Sequence, residues 1–236
     1  MQPSDTDKTR EFFDGAFTLR ELYHHERAYA IEAMFRPDHC LASAIFNPSS
    51  KPPQHFHTYQ TEYLKVTAGK VVVQVEGREL LLSPTDDELR IPPWTYHCVY
   101  PPSSATSLSE EERQVPGDIK VIMSSEKTSQ PFHEDIIFLE NWYHYLNDII
   151  IHGAKLDLLQ LMSSFDAAGS YLAFPAWLPF GRYLSRATGI IIGRYLGSML
   201  GYQPYYRKWT TDWQRARERM DTSIFYRRFA NPTANS

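Results

Sequence analysis

The stretch HFHTYQTEYLKVTAG, residues 55–69, places two histidines and a glutamate within one short segment. His55 and His57 stand at i and i+2, so on an extended strand their rings leave the same face. Two neutral imidazoles on one face grip a transition metal, and a carboxylate adds a hard oxygen donor. Glu62 is the natural third ligand, brought in on the next strand-like segment. The fourth is His97 in IPPWTYHCVYP, where a double-proline turn aims the following strand. His55, His57, Glu62 and His97 are therefore the candidate metal ligands. They would hold one transition metal ion and leave a coordination position or two open, the mark of a catalytic rather than a structural site. Fe(II) is the favoured ion, because imidazoles with a carboxylate leave room on iron for dioxygen and substrate together. Zn, Ni or Mn in the same ligands would act as a Lewis acid.

Glu62 carries a second candidate role, as a catalytic group. Tyr59, Tyr63 and Tyr96 lie beside the ligands in sequence, and a phenol can donate to a bound oxyanion; Tyr59 and Tyr96 are the catalytic candidates. Strand parity places Leu64 and Val66 on the side of Glu62, and Thr95 and Val99 on the side of His97. In KVVVQVEG, Val71, Val73 and Val75 face in if Gln74 and Glu76 face out. The expected substrate pocket, with Leu64, Val66, Val73, Thr95 and Val99, is mostly apolar and suits a hydrophobic, aromatic or polyketide-like molecule. His24, His25, His39, His133, His144 and His152 have no partner at a ligand-like offset and read as surface or packing residues.

The elements that position these residues can be read from the pattern. From residue 28 to about 125, short apolar runs such as AYAIEAMF, TEYLKVTAG, KVVVQVEG and DIKVIMSS alternate with turn signals at Gly69, Gly77 and Pro84. Many short strands without helical periodicity between them predict a sandwich or barrel. Pro101–Asp118 lacks an apolar period and reads as an exposed loop. After Pro131 the period becomes helical. Helices are expected over HEDIIFLENWYHYLNDIIIHG, over Ala154–Ser164, from Leu178 to about Gly201, and in WTTDWQRARERMDT, with AAGSYLAFPAWLPF as a linker punctuated by Pro175 and Pro179. The organisation is thus mainly β: an N-terminal arm (1–27), a β-barrel (28–130) and a C-terminal α-helical extension (131–236).

The motifs resemble those of the cupins, small jelly-roll β-barrels. The first cupin motif, G-x5-H-x-H-x3,4-E-x6-G, is matched by His55, His57, Glu62 and Gly69. The second, G-x5-P-x-G-x2-H-x3-N, is matched by Pro92 and His97. Ser49, Asp86, Trp94 and Pro101 depart from it. Trp94 replaces a glycine whose turn favours positive φ, which a tryptophan adopts at greater cost. The resemblance implies a cupin jelly roll over residues 28–125 and a metal at the matched ligands. It also implies a role as an oxygenase or oxidase in specialised metabolism. A cupin decarboxylase, isomerase or cyclase, or a non-enzymatic small-molecule binding module, are the alternatives.

Composition bounds the partners. The 236-residue chain is 42% hydrophobic and 14% aromatic, enough for a large core, and its net charge of -4 argues against nucleic acid as a partner. Two cysteines, Cys40 and Cys98, make no disulfide framework, and the N-terminus shows no apolar leader, so a cytoplasmic setting is expected. Charge is uneven: residues 182–236 hold ten Lys or Arg against three Asp or Glu. Glycines at 189, 193, 197 and 201 form one stripe on a helix, implying a close neighbour on that face. That neighbour is the barrel or a second subunit, giving a homodimer. The basic tail also suggests peripheral membrane contact through residues 178–228.

Overall fold

A computed structural model describes residues 9–115 and 117–230. Eleven strands form two antiparallel sheets among the described residues: β1 (Thr9–Phe12), β2 (Phe17–Leu22), β3 (Arg27–Phe35), β4 (His55–His57), β5 (Glu62–Ala68), β6 (Val71–Val75), β7 (Arg78–Leu82), β8 (Leu89–Ile91), β9 (His97–Tyr100), β10 (Ile119–Glu126) and β11 (Ser170–Leu172). The six-stranded sheet runs β1-β2-β3-β10-β5-β8 and the five-stranded sheet β11-β4-β9-β6-β7. The chain divides into two compact units, Met1–Phe56 with Gln60–Lys127, and His57–Tyr59 with Thr128–Ser236.

In the first unit, register follows the alternation of side chains. Along β5 Glu62, Leu64 and Val66 are buried while Tyr63 and Lys65 are only half-buried. Opposite them on β10 stand Ser125, Met123 and Val121, and beyond those on β3 Tyr29, Ile31 and Ala33. On the other sheet Val73 faces Val99 and Val75 faces His97. Directly opposed residues share a face, so the histidine face of β9 continues across the valines of β6. The reverse face buries Val72, Cys98 and Tyr100 with Phe46, Leu81 and Leu108. At Gly69 the chain turns from β5 into β6 with φ +69, a conformation open to glycine without cost.

The expected N-terminal arm is corrected from residue 9 onward. Residues 9–22 are a hairpin, β1 and β2, that extends the sheet from β3. The reason is apolar: Phe12, Phe13, Phe17 and Leu19 are buried, with the three phenylalanine rings 6.4 Å apart. Residues 1–8 of the arm lie outside the described residues. The loop expected over Pro101–Asp118 contains one helical turn, Glu110–Arg113, started by Ser109: its hydroxyl accepts from Glu112 N–H while Glu112 accepts from Ser109 N–H.

The second unit is built on the helix Ile136–Ile150, opened by Asp135, whose carboxylate accepts from Phe138 N–H at 3.0 Å. Phe138 and Trp142 both meet the Phe165 ring edge-on. The next helix spans Leu158–Ala167 rather than beginning at Ala154, because Asp157 caps the amides of Leu159 and Gln160. The stretch expected as a linker contributes β11. The third helix begins at Gly181, later than Leu178, and widens into π-type turns over Gly189–Gly197 before Ser198–Leu200. The glycine stripe divides into two roles. A Cβ at Gly193 would collide with the Met162 carbonyl and one at Gly189 with the Tyr171 ring, so these two pack closely on the Leu158–Ala167 helix and β11, not on the barrel or second subunit that the stripe suggested. Gly201 has open space around it and φ +99; it ends the helix. The fourth helix covers Trp213–Asp221.

Trp94 adopts the glycine conformation that the cupin motif calls for, with φ +64. Its ring stacks on Phe56 at 5.4 Å, which offsets the backbone strain. Trp94→Gly and Trp94→Ala both lose that stacking, but only the alanine keeps the strain. Urea unfolding should therefore find both less stable than wild type, and the alanine variant less stable than the glycine variant by about 1 kcal/mol; equal stability would contradict this account.

Candidate metal centre

His55, His57, Glu62 and His97 each offer a ligand atom, and the four atoms lie within 4.8 Å of one another. β4 supplies two of them, β5 and β9 one each. His55 and His97 are directly opposed in the β4–β9 ladder, with ring centroids 4.4 Å apart. His57, Glu62 and His97 are buried; His55 is half-buried.

The orientation of two of the rings is set by what their other nitrogen touches. His97 Nδ1 lies 2.9 Å from Thr95 O. A carbonyl only accepts, so Nδ1 carries a proton and donates, leaving Nε2 as the nitrogen that can coordinate. That Nε2 lies 2.8 Å from Glu62 Oε2. Two lone pairs at this distance repel unless a positive charge is shared between them, either a proton or a metal ion. His57 Nδ1 lies 2.8 Å from Ser170 Oγ and 3.3 Å from Glu134 Oε2, which commits that nitrogen and leaves Nε2 to coordinate. A carboxylate behind a histidine is the support that metal-binding imidazoles ordinarily have. The donor set fits a transition metal: three imidazoles and one carboxylate at coordinating separation, two of the rings with their Nδ1 already committed.

The surrounding residues divide by face. Leu64 and Val66 share the Glu62 side of β5, and Val73, Val75 and Val99 share the His97 side of β9 and β6. Thr95 serves through its carbonyl; its side chain is half-buried. Tyr96 is not brought to the ligands. Its ring meets Phe56 edge-on at 5.5 Å, and Phe56 leaves β4 opposite to its two histidine neighbours. Tyr63 likewise alternates away from Glu62; its hydroxyl donates to Glu126 and Arg27 lies over its ring. Tyr59 accepts a hydrogen bond from Arg186 at 2.7 Å. The other six histidines stay outside the cluster; His24 and His25 stack on each other, and His133 donates to Gln130 O.

Glu134, Ser170, Tyr29 and Ser125 escape a reading of the sequence. Glu134 precedes a helix start and resembles an ordinary first-turn acid. Ser170 lies in a stretch read as a linker. Tyr29 and Ser125 join the row of Glu62 only through the pairing of β3, β10 and β5. Gln60 donates to Ser125 Oγ at 2.8 Å and so orders that row.

No family model matches the chain. Among curated proteins it is similar to the probable oxidoreductase yanE of Aspergillus niger, 34% identical over 220 residues that span 93% of this chain and 82% of the relative. It is 33% identical to the oxidoreductase AOL_s00215g277 of Arthrobotrys oligospora, over 92% of this chain and 83% of that protein. It is 34% identical to the epoxidase atD of Aspergillus terreus, over 92% of this chain and 63% of that longer protein. Among solved structures, an RmlC-like cupin from Shewanella frigidimarina matches 56% of this chain and 94% of its own at 16% identity and TM-score 0.34. KdgF from Halomonas matches 54% and 93% at 15% identity and the same TM-score. The two antiparallel sheets, with the matched histidines and glutamate on β4, β5 and β9, make the fold a cupin jelly roll followed by a helical region. The chain belongs to the family of fungal oxidoreductases that includes the Aspergillus niger yanE protein.

Proposed function

We propose that this chain is a metal-dependent oxygenase or oxidase acting on a hydrophobic small molecule, aromatic or polyketide-like, in a biosynthetic pathway. The observation that carries the reading is the convergence of three imidazoles and one carboxylate on a common point. His55, His57, Glu62 and His97 would hold the ion. Bound Fe(II) would supply the redox chemistry and the binding positions for dioxygen and an organic oxygen donor. The name of one relative, an epoxidase, supports oxygen transfer as the reaction class.

The chain's own residues do the rest. Ser170 and Glu134 hold the His57 ring, and the Thr95 carbonyl holds His97. Leu64, Val66, Val73 and Val99 give an apolar surface beside the ligands, which disfavours water and suits a substrate with little hydrogen-bonding capacity. Tyr29 and Ser125, in the row of Glu62, would be the polar groups that orient a substrate oxygen.

Elemental analysis of the purified protein is expected to find iron as one transition metal ion per chain. Oxygen uptake should then accompany turnover of hydrophobic phenols or enols. Turnover that continues at the same rate without oxygen would sink the oxygenase reading and leave a Lewis-acid enzyme. The support of His57 is tested separately. Glu134→Gln removes the anionic partner at nearly unchanged volume and should lower metal affinity by about 10- to 100-fold in chelator competition, with an unchanged circular dichroism spectrum. Unaltered affinity would show that Ser170 alone orients the ring.

A further inference from the structure

The helical run from Gly181 to Leu200 is apolar on the side where a surface helix is normally polar. Its inward residues are small: Ser185, Gly189, Gly193, Gly197 and Ser198 are all buried. Its large apolar residues, with those of the approach to it, point outward. Trp177, Phe180, Tyr183, Ile191, Met199 and Leu200 are each 60–80% exposed. The helical run extends for about 30 Å at 1.5 Å per residue. Contiguous apolar surface on this scale marks a binding face rather than ordinary surface.

Charge indicates what the face meets. From Ala167 to Thr211 the chain contains no Asp or Glu, but has Arg182, Arg186, Arg194, Arg207 and Lys208. Arg194 is spent inward on Asp166, at 2.7 and 2.9 Å, and Arg186 on the Tyr59 hydroxyl, so the outward stripe itself stays uncharged. Arg207 is exposed in the turn that follows, where Lys208 is paired with Asp148 at 2.9 Å. A second copy meeting this face symmetrically would offer no carboxylate from residues 167–211 to the exposed Arg207. An anionic bilayer offers the complement to both features, with headgroups for the cations and acyl chains for the stripe. Trp177, Phe180 and Tyr183 cluster at one end and are the residue types that settle at the lipid–water boundary. No helix among the described residues is long and apolar enough to cross a membrane.

We propose that the outer face of residues 177–200 docks in the plane of an anionic lipid surface. The inference stands independently of the metal. The test is flotation of the full chain with vesicles of equimolar phosphatidylcholine and phosphatidylserine, against phosphatidylcholine alone. The protein should float with the anionic vesicles at low salt and be partly released as salt rises. Its tryptophan emission should shift to the blue on binding, and Trp177→Phe should reduce the shift. The double variant I191E/M199E alters two exposed side chains and should keep the wild-type circular dichroism and metal content. Its partition onto the anionic vesicles should fall by about tenfold or more. No flotation at low salt, or equal binding to the uncharged vesicles, overturns the proposal. So does a wild-type dimer in sedimentation that I191E/M199E disperses while neither protein floats, which would assign the face to a second copy.

Discussion

The close approach of His97 Nε2 to Glu62 Oε2, 2.8 Å, is the constraint around which the barrel is arranged. The Thr95 carbonyl holds the His97 proton on the far nitrogen. The near nitrogen and the carboxylate then face each other as two bases, buried where little water can screen them. Such a pair persists only if a cation is shared between them and the surrounding structure prevents either side chain from turning away. The second requirement is met by strand pairing: His55 stands directly across the ladder from His97, and Glu62 is fixed on β5 between β10 and β8. A one-residue slip of β5 would expose Glu62 and bury Tyr63 in its place.

That constraint also explains which parts of the site could be read from the chain alone. Ligands spaced two residues apart on one strand are visible as a pattern, and so is a glutamate on the next strand. Side chains alternate along a strand that has no bulge, so Leu64, Val66, Val73 and Val99 fall on the predicted faces. The same rule, applied to Tyr96, would have turned it away from His97, its immediate neighbour; proximity in sequence suggested the opposite. Supports such as Glu134 and Ser170 could not be found this way. They depend on which distant segment lies behind the His57 ring, 77 residues on for Glu134 and 113 for Ser170, and no local period encodes that.

The helical region shows a similar division. The apolar period located the helix Ile136–Ile150 well, since its inward face is continuous. It misplaced the start of the following helix, where a single capping carboxylate at Asp157 decides the boundary. The glycine stripe was legible as a call for close approach, but position 201 belonged to a different requirement, a left-handed residue that ends the helix. A period of four identifies which residues share a face and cannot separate packing from termination. The buried Asp166, bonded by Arg194 and Tyr171, then pins the wide-turned helix to its neighbour with charge as well as shape.

The N-terminal hairpin has one more implication. β3 is a nine-residue strand, and it is β2 that occupies its outer side. Were the first 26 residues cut away, a long row of unsatisfied amides and carbonyls would face water, flanked by Ile31, Ala33 and Phe35. Such an open border recruits whatever extended chain is available, most readily another molecule of the same kind. The hairpin is thus a guard against sheet-to-sheet polymerisation, because β2 pairs with the border of β3 from Ala30 to Phe35.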